Sequence, residues 1–219
     1  ARQDRKVSPR SPISAKLFAN LLMGSGASRV LTMDLHANQI QGFFDIPVDN
    51  LFAAPTFVQH IKKNIKSKNI VCVAPDVGGV ERARAIGKRL SADLAIIDKR
   101  RSGPGKSEVM NVIGDVKNKI CVIFDDLVDS GGTIVNAASA LKKKGARDVY
   151  AYVVHGVFTG EAVKKINNSK IKKFVISNSI LNIKKIKKSK KFQVISVGTL
   201  FAEAIKRISI SKSVSKLFK

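Results

Sequence analysis

Long apolar runs, acidic residues and cysteines are all scarce in this 219-residue chain, and each scarcity removes a class of protein. Apolar stretches reach only five to six residues, well short of the roughly 20 that a membrane helix needs, and no signal-peptide-like segment opens the sequence. Neither a membrane span nor export is expected; a cytosolic location is. The two cysteines, Cys72 in "IVCVA" and Cys121 in "ICVIF", lie inside strand-like runs, where a thiol acts as a small buried hydrophobe. No disulfide framework and no cysteine metal site follow from them, and no short tandem repeat is evident.

Acid is the most uneven shortage: 16 Asp and Glu stand against 40 Lys and Arg, a formal charge of +24, and residues 162–202 hold eleven lysines and no acid at all. Such a field suits nucleic acid. Yet "IKKIKKSKK" (183–191) has no aromatics between its cations for base stacking and no recognised binding motif, so a solvated basic face is expected and nucleic acid is not. Small anionic substrates suit the same field.

What is present is a globular α/β pattern, with 44% apolar content to supply cores. A helix is expected to begin at Ser11-Pro12, to carry Ile13, Leu17, Phe18, Leu21 and Leu22 on one apolar face, and to end at Gly24 and Gly26. Strands at 29–36, 69–76, 94–98 and 119–126 each run into polar residues. Between and beyond them come helices at Phe57–Lys66, Val80–Leu90, Thr133–Lys144 (closed by Gly145), Gly160–Ile166 and Thr199–Ile208, with strands in "DVYAYVV", "KKFVIS" and "FQVISV". Continuous rather than alternating strands argue for parallel sheets covered on both faces, with a boundary near "DIPVDNLFAAP" (45–55), where two prolines interrupt the pattern. Folds of this kind bind ligands at strand C-termini, which collects His36, Asp76, Lys99 and the aspartates after residue 124 as candidates.

The densest chemistry is in "VIFDDLVDSGGT" (122–133). Asp125, Asp126 and Asp129 repel one another and resist burial unless something positive or rich in hydroxyls lies among them. Ser130, Gly131, Gly132 and Thr133 open a helix whose free N–H groups favour an anion, while vicinal carboxylates accept from sugar hydroxyls; a sugar phosphate satisfies both halves. An Asp-rich helix cap is the plainer alternative. In "IIDKRRSGPGKSEVM" (96–110), Lys99, Arg100 and Arg101 follow a buried strand and precede a Gly- and Pro-containing segment suited to a lid, a density of charge that can stabilise a transferring phosphoryl group. Asp76 before Gly78 and Gly79, and His36 past a strand in "TMDLHANQIQGFF", are individually weak signals. His60 and His155 are expected to be structural.

Four ordered motifs resemble the ribose-phosphate pyrophosphokinases: "DLHANQIQGFFDIPVDN", "VAPDVGGVERARAIGKRL", "DKRR" and "VIFDDLVDSGGT", the last with Ser130 where many members carry threonine. The resemblance implies two phosphoribosyltransferase-like parallel-sheet domains, the first only partly present: 1–54 on the ATP side, 55–204 carrying the ribose 5-phosphate loop, and a 205–219 tail packing back on the first domain. It implies transfer of the diphosphoryl group of ATP to the 1-hydroxyl of ribose 5-phosphate, giving phosphoribosyl diphosphate and AMP. Lys99 and Arg101 would be catalytic. Arg101, Asp125, Asp126, Asp129, Ser130, Gly131, Gly132 and Thr133 would hold ribose 5-phosphate, Arg2, Gln3 and His36 would hold ATP, and His36 and Asp76 would hold Mg2+. Ser213 and Ser215 in "ISISKSVSKLF" would lie at a regulatory phosphate or ADP site, and homo-oligomers of dimers building a hexamer are implied. Ala1 in place of Met, and the want of the family's usual first half-domain before it, point to an N-terminally incomplete chain. Two alternatives stay open: a phosphoribosyltransferase sharing the loop, and a non-catalytic regulator keeping the fold.

Overall fold

The computed structural model describes residues 2–6, 8–100, 109–181 and 183–218. Its contacts divide the chain into two units, Ala1–Ala53 with Glu203–Lys219, and Ala54–Ala202. In the first, helix α1 (Ser14–Gly24) accompanies two parallel strands, β1 (Val30–Met33) and β2 (Val48–Leu51), paired from Val30↔Val48 to Met33↔Leu51. The division at Ala53/Ala54 falls inside the 45–55 stretch expected as a boundary; β2 lies in the same stretch, where Pro47 precedes the strand and its carbonyl accepts from Val30 N at 2.9 Å.

Helix α1 corrects one expectation. It starts at Ser14, not Ser11, and its buried residues are Ala15 and Ala19. Leu17, Phe18, Leu21 and Leu22 are exposed, by 58%, 57%, 59% and 44%. The small face is the one pinned down: Ala15 N donates to Gln3 O at 3.0 Å, and Lys16 Nζ donates to Phe43 O at 2.8 Å. Periodicity identified an apolar stripe but not which stripe the unit uses.

The second unit is built on one seven-stranded sheet of β3 (Ile70–Ala74), β4 (Asp93–Arg100), β5 (Val109–Ile113), β6 (Ile120–Val128), β7 (Asp148–Gly156), β8 (Lys173–Ser177) and β9 (Phe192–Ile195), in the order β5-β4-β3-β6-β7-β8-β9. Every pairing is parallel except β4 with β5, which runs antiparallel from Ile96↔Ile113 to Arg100↔Val109. The antiparallel partner needs no crossover helix, and so no helical period announced it. The α-helices of this part of the chain are α2 (Ala54–Asn64), α3 (Val80–Leu90), α4 (Gly132–Lys143), α5 (Ala162–Asn167), α6 (Ile183–Ile186) and α7 (Gly198–Ser209), the last continuing from Glu203 into the first unit.

Strand β6 anchors this unit because Ile120 to Phe124 are all buried. At roughly 1.5–3 kcal/mol for each large apolar side chain removed from water, that run fixes the register of the polar residues that follow it. Cys72 and Cys121 are free and fully buried, and burial pushes both thiols up to about 12, so they are packing groups. Among the described residues, no helix is long and apolar enough to cross a membrane.

The lysine-rich segment is only partly a solvated face. Lys191 Nζ donates to Ile166 O, Asn167 O and Ser169 O at 3.2, 2.8 and 2.9 Å, closing the C-terminal end of α5, where a cation meets the negative end of the helix dipole. Lys185 Nζ donates to Phe158 O at 2.9 Å.

On α2, His60 Nδ1 lies 2.9 Å from the hydroxyl of buried Tyr152, while its Nε2 is buried with no partner among the described residues. Burial first, and Lys63 second, lower the imidazole below its ordinary value of 6.5. The unfolded chain therefore takes up a proton that the folded chain resists, and stability falls as pH drops below 6.5 towards the folded value. Urea midpoints at about pH 7.5 and 5.5 should show a larger acid loss for the unsubstituted chain than for His60→Gln, which cannot titrate there. Equal losses would mean that His60 does not couple to folding.

Candidate active site

Three neighbouring strands end in polar residues at one edge of the larger sheet. Asp76 follows β3 and caps the next turn, its Oδ1 accepting from Gly79 N at 3.0 Å. Lys99 stands near the end of β4, and Asp125 and Asp126 near the end of β6, with β3 between the two strands. The buried apolar stretches thus deliver one cation and three carboxylates to the strand C-termini.

Asp126 is 6% exposed, and Asp125 is partly buried beside it, its Oδ1 accepting from Asp126 N at 2.9 Å. Burial pushes the Asp125 carboxyl up to about 8, with a hydrogen bond and negative charge from Asp126 and the charge of Asp76 adding to the effect. Arg82, in the first turns of α3, opposes that shift, and its Nη1 lies 3.7 Å from Asp126 Oδ1. Two adjacent carboxyls at a strand end, beside a guanidinium, are chemically suited to accept from a vicinal diol.

Downstream, Gly131 adopts φ 78°, a left-handed conformation that glycine takes without steric cost, and it starts α4 at Gly132. A β-carbon there would come within 3.4 Å of Ile166 Cγ1. The first N–H groups of a 12-residue helix then face the end of β6, the arrangement that attracts anions. Lys99 Nζ reaches this loop, donating to Thr133 Oγ1 at 3.2 Å.

Of the residues singled out in the sequence, the second unit contains Asp76, Lys99, Asp125, Asp126, Asp129, Ser130, Gly131, Gly132 and Thr133, and the Lys99–Thr133 bond joins the two motifs. Arg2, Gln3, His36, Ser213 and Ser215 belong to the other unit. There, Gln3 Oε1 accepts from the Ser14 hydroxyl, His36 is exposed in the turn after β1, and Ser213 O accepts from Arg207 Nη1 at 3.2 Å. Arg101 lies outside the described residues. His155 Nδ1 lies 2.8 Å from Ser179 Oγ.

Among the described residues, no three His, Cys, Asp or Glu side chains gather as a metal cage. That does not conflict with Mg2+, which binds through one or two carboxylates together with water and substrate phosphates; Asp76, expected from the sequence as a metal contact, offers a hard carboxylate oxygen of that kind.

Two contributors escaped the sequence reading. Arg82 is one cation among four in "VERARAIGKR", and only its place in the first turns of a helix that follows a site strand distinguishes it. Thr159, in the turn after β7, donates from Oγ1 to Asp129 Oδ1 at 2.6 Å across 30 residues of sequence. No local motif marks it.

The phosphoribosyl synthetase-associated domain family matches residues 101–219. A ribose-phosphate pyrophosphokinase of Brucella melitensis is 58% identical over 218 residues, covering 100% of this chain and 70% of the relative, and one from Agrobacterium fabrum is 56% identical with the same coverage. The crystal structure of phosphoribosylpyrophosphate synthetase from Mycobacterium smegmatis superposes with a TM-score of 0.89 at 36% identity, over 96% of this chain and 68% of that one. With 58% identity over the whole of this chain and 70% of the relative, the chain belongs to the ribose-phosphate pyrophosphokinase family.

Proposed function

We propose that the chain transfers the diphosphoryl group of ATP to the 1-hydroxyl of ribose 5-phosphate, producing phosphoribosyl diphosphate and AMP. The observation that carries this reading is the 3.2 Å bond from Lys99 to Thr133, which brings a cation suited to phosphoryl transfer onto an anion-binding loop suited to the sugar phosphate. A phosphoribosyltransferase would need the loop but not that lysine.

In this reading the N–H groups and hydroxyls of Ser130–Thr133 bind the 5-phosphate, and Asp125, Asp126 and Asp129 orient the ribose through its hydroxyls. The 1-hydroxyl is thereby held for in-line attack on the β-phosphorus, and its proton leaves as the new P–O bond forms while the bond to AMP breaks. Lys99, together with Arg101, stabilises the charge that spreads over the transferring oxygens. Asp76 and His36 are the proposed Mg2+ contacts. When bound, the ion would neutralise the triphosphate. Arg2, Gln3 and His36 are assigned to ATP, and the 1–54, 55–204 and 205–219 segments to the ATP side, the ribose side and the tail. Ser213 and Ser215 are assigned to a phosphate or ADP regulatory site, in an assembly of dimers building a hexamer.

The test is to incubate the protein with Mg-ATP and ribose 5-phosphate and follow AMP. Release that requires both substrates and Mg2+ supports the assignment. Consumption of phosphoribosyl diphosphate with a free base, without AMP release from ATP, would replace it with the transferase reading.

A further inference from the structure

The loop that starts at Asp129 is held from the neighbouring strand. Strand β7 pairs with β6 as far as Val128↔Gly156, and the chain then turns back over the end of β6. In that turn Val157 N and Phe158 N both donate to Val128 O, at 3.0 and 3.3 Å, and Thr159 N donates to Asp129 O at 3.1 Å. The Thr159 hydroxyl adds its 2.6 Å bond to Asp129 Oδ1. Four donors from three consecutive residues thus converge on two residues at the entrance to the phosphate loop.

The turn is itself braced. Phe158 is 1% exposed at φ 53°, a left-handed conformation unusual for an aromatic residue and tolerated where surrounding packing holds it. Its ring stands edge-on to Phe192 at 5.4 Å, and a β-carbon on Gly156 would lie 2.6 Å from Phe158 Cε2, so glycine is the residue that leaves room for the ring. Behind it, Lys185 Nζ holds Phe158 O. Each of these contacts fixes the turn independently of any ligand.

We propose that Thr159 is a positioning residue for the sugar-phosphate loop: its hydroxyl fixes the Asp129 carboxylate, and Phe158 and Lys185 fix the turn that presents it. This deepens the proposed function and rests on it. A carboxylate beside an anion-binding helix start can compete with phosphate for the same N–H donors. With one oxygen engaged by Thr159, Asp129 is limited in what else it reaches, and the loop is ordered before the ligand arrives.

The experiment compares the unsubstituted protein with Thr159→Val, which keeps the shape and loses the hydroxyl, and with Thr159→Ser, which keeps the hydroxyl. Calorimetry with ribose 5-phosphate should show about a tenfold weaker dissociation constant for Val, as for loss of a hydrogen bond to a charged acceptor, and recovery to within about threefold for Ser. Hydrogen exchange at 130–133 should be faster in Val than in Ser, and melting curves identify any variant that simply fails to fold. If Val does not fold, Thr159→Ala takes its place in the comparison with Ser. Equal affinity and equal exchange in the hydroxyl-lacking and hydroxyl-bearing variants would overturn the proposal. If the unsubstituted protein binds no ribose 5-phosphate, the proposed function fails, and the exchange comparison alone then decides whether Thr159 orders the loop.

Discussion

Replacing Lys99 with alanine is expected to lower AMP release by about 100- to 1,000-fold, while the dissociation constant for ribose 5-phosphate changes by less than about fivefold. The asymmetry follows from what each group faces. The lysine donates to the side-chain hydroxyl of Thr133, whereas the helix-start N–H groups that bind a phosphate are part of the backbone and survive the substitution. A cation matters most when charge moves onto the transferring oxygens, so its loss appears in turnover and hardly in ground-state binding. Initial rates at saturating substrates, with calorimetry on the same preparations, separate the two. An unchanged turnover would remove Lys99 from the mechanism.

The second large effect has opposite signs for stability and for binding. Asp125→Asn should make the protein more stable by about 1–3 kcal/mol at pH 8 and leave stability nearly unchanged at about pH 4. Burial and Asp126 raise the Asp125 carboxyl from 3.8 to about 8. Between those values the unfolded chain gives up a proton that the folded chain keeps, so stability is full below 3.8 and declines as pH rises towards 8. Asparagine retains an oxygen to accept from Asp126 N and has nothing to ionise. The same change removes a charged acceptor for the ribose hydroxyls, and affinity for ribose 5-phosphate should fall by about tenfold or more. Unfolding midpoints at the two pH values and one titration with ligand test both halves. A variant less stable than the parent at pH 8 would mean that the carboxyl pair is not under strain.

These effects come from residues whose importance was readable to different degrees. Helix α3 occupies Val80–Leu90, the span that its period and flanking signals predicted, and the strand cores of β3 and β6 fell where continuous apolar runs lay. The loop at 129–133 was legible because its glycines, hydroxyls and acids are adjacent in sequence. Strand β2 was not: "VDNL" is short and polar, and it is a strand through pairing with β1 rather than through any propensity of its own. Arg82 and Thr159 were missed for a related reason. Their partners, Asp126 and Asp129, become neighbours only through the order β3-β6-β7, which no single stretch of sequence encodes.

The closure of α5 by Lys191 bears on which substitutions this chain tolerates. An ammonium group carries three hydrogens pointing apart, and Lys191 has three carbonyl oxygens to receive them. Arginine spreads its donors in a flat fork and cannot meet three acceptors disposed around a point, so an exchange usually considered conservative is not one at this position. In a segment whose lysines look interchangeable, drift between the two basic residues is open at exposed Lys187 and Lys188 and closed at Lys191.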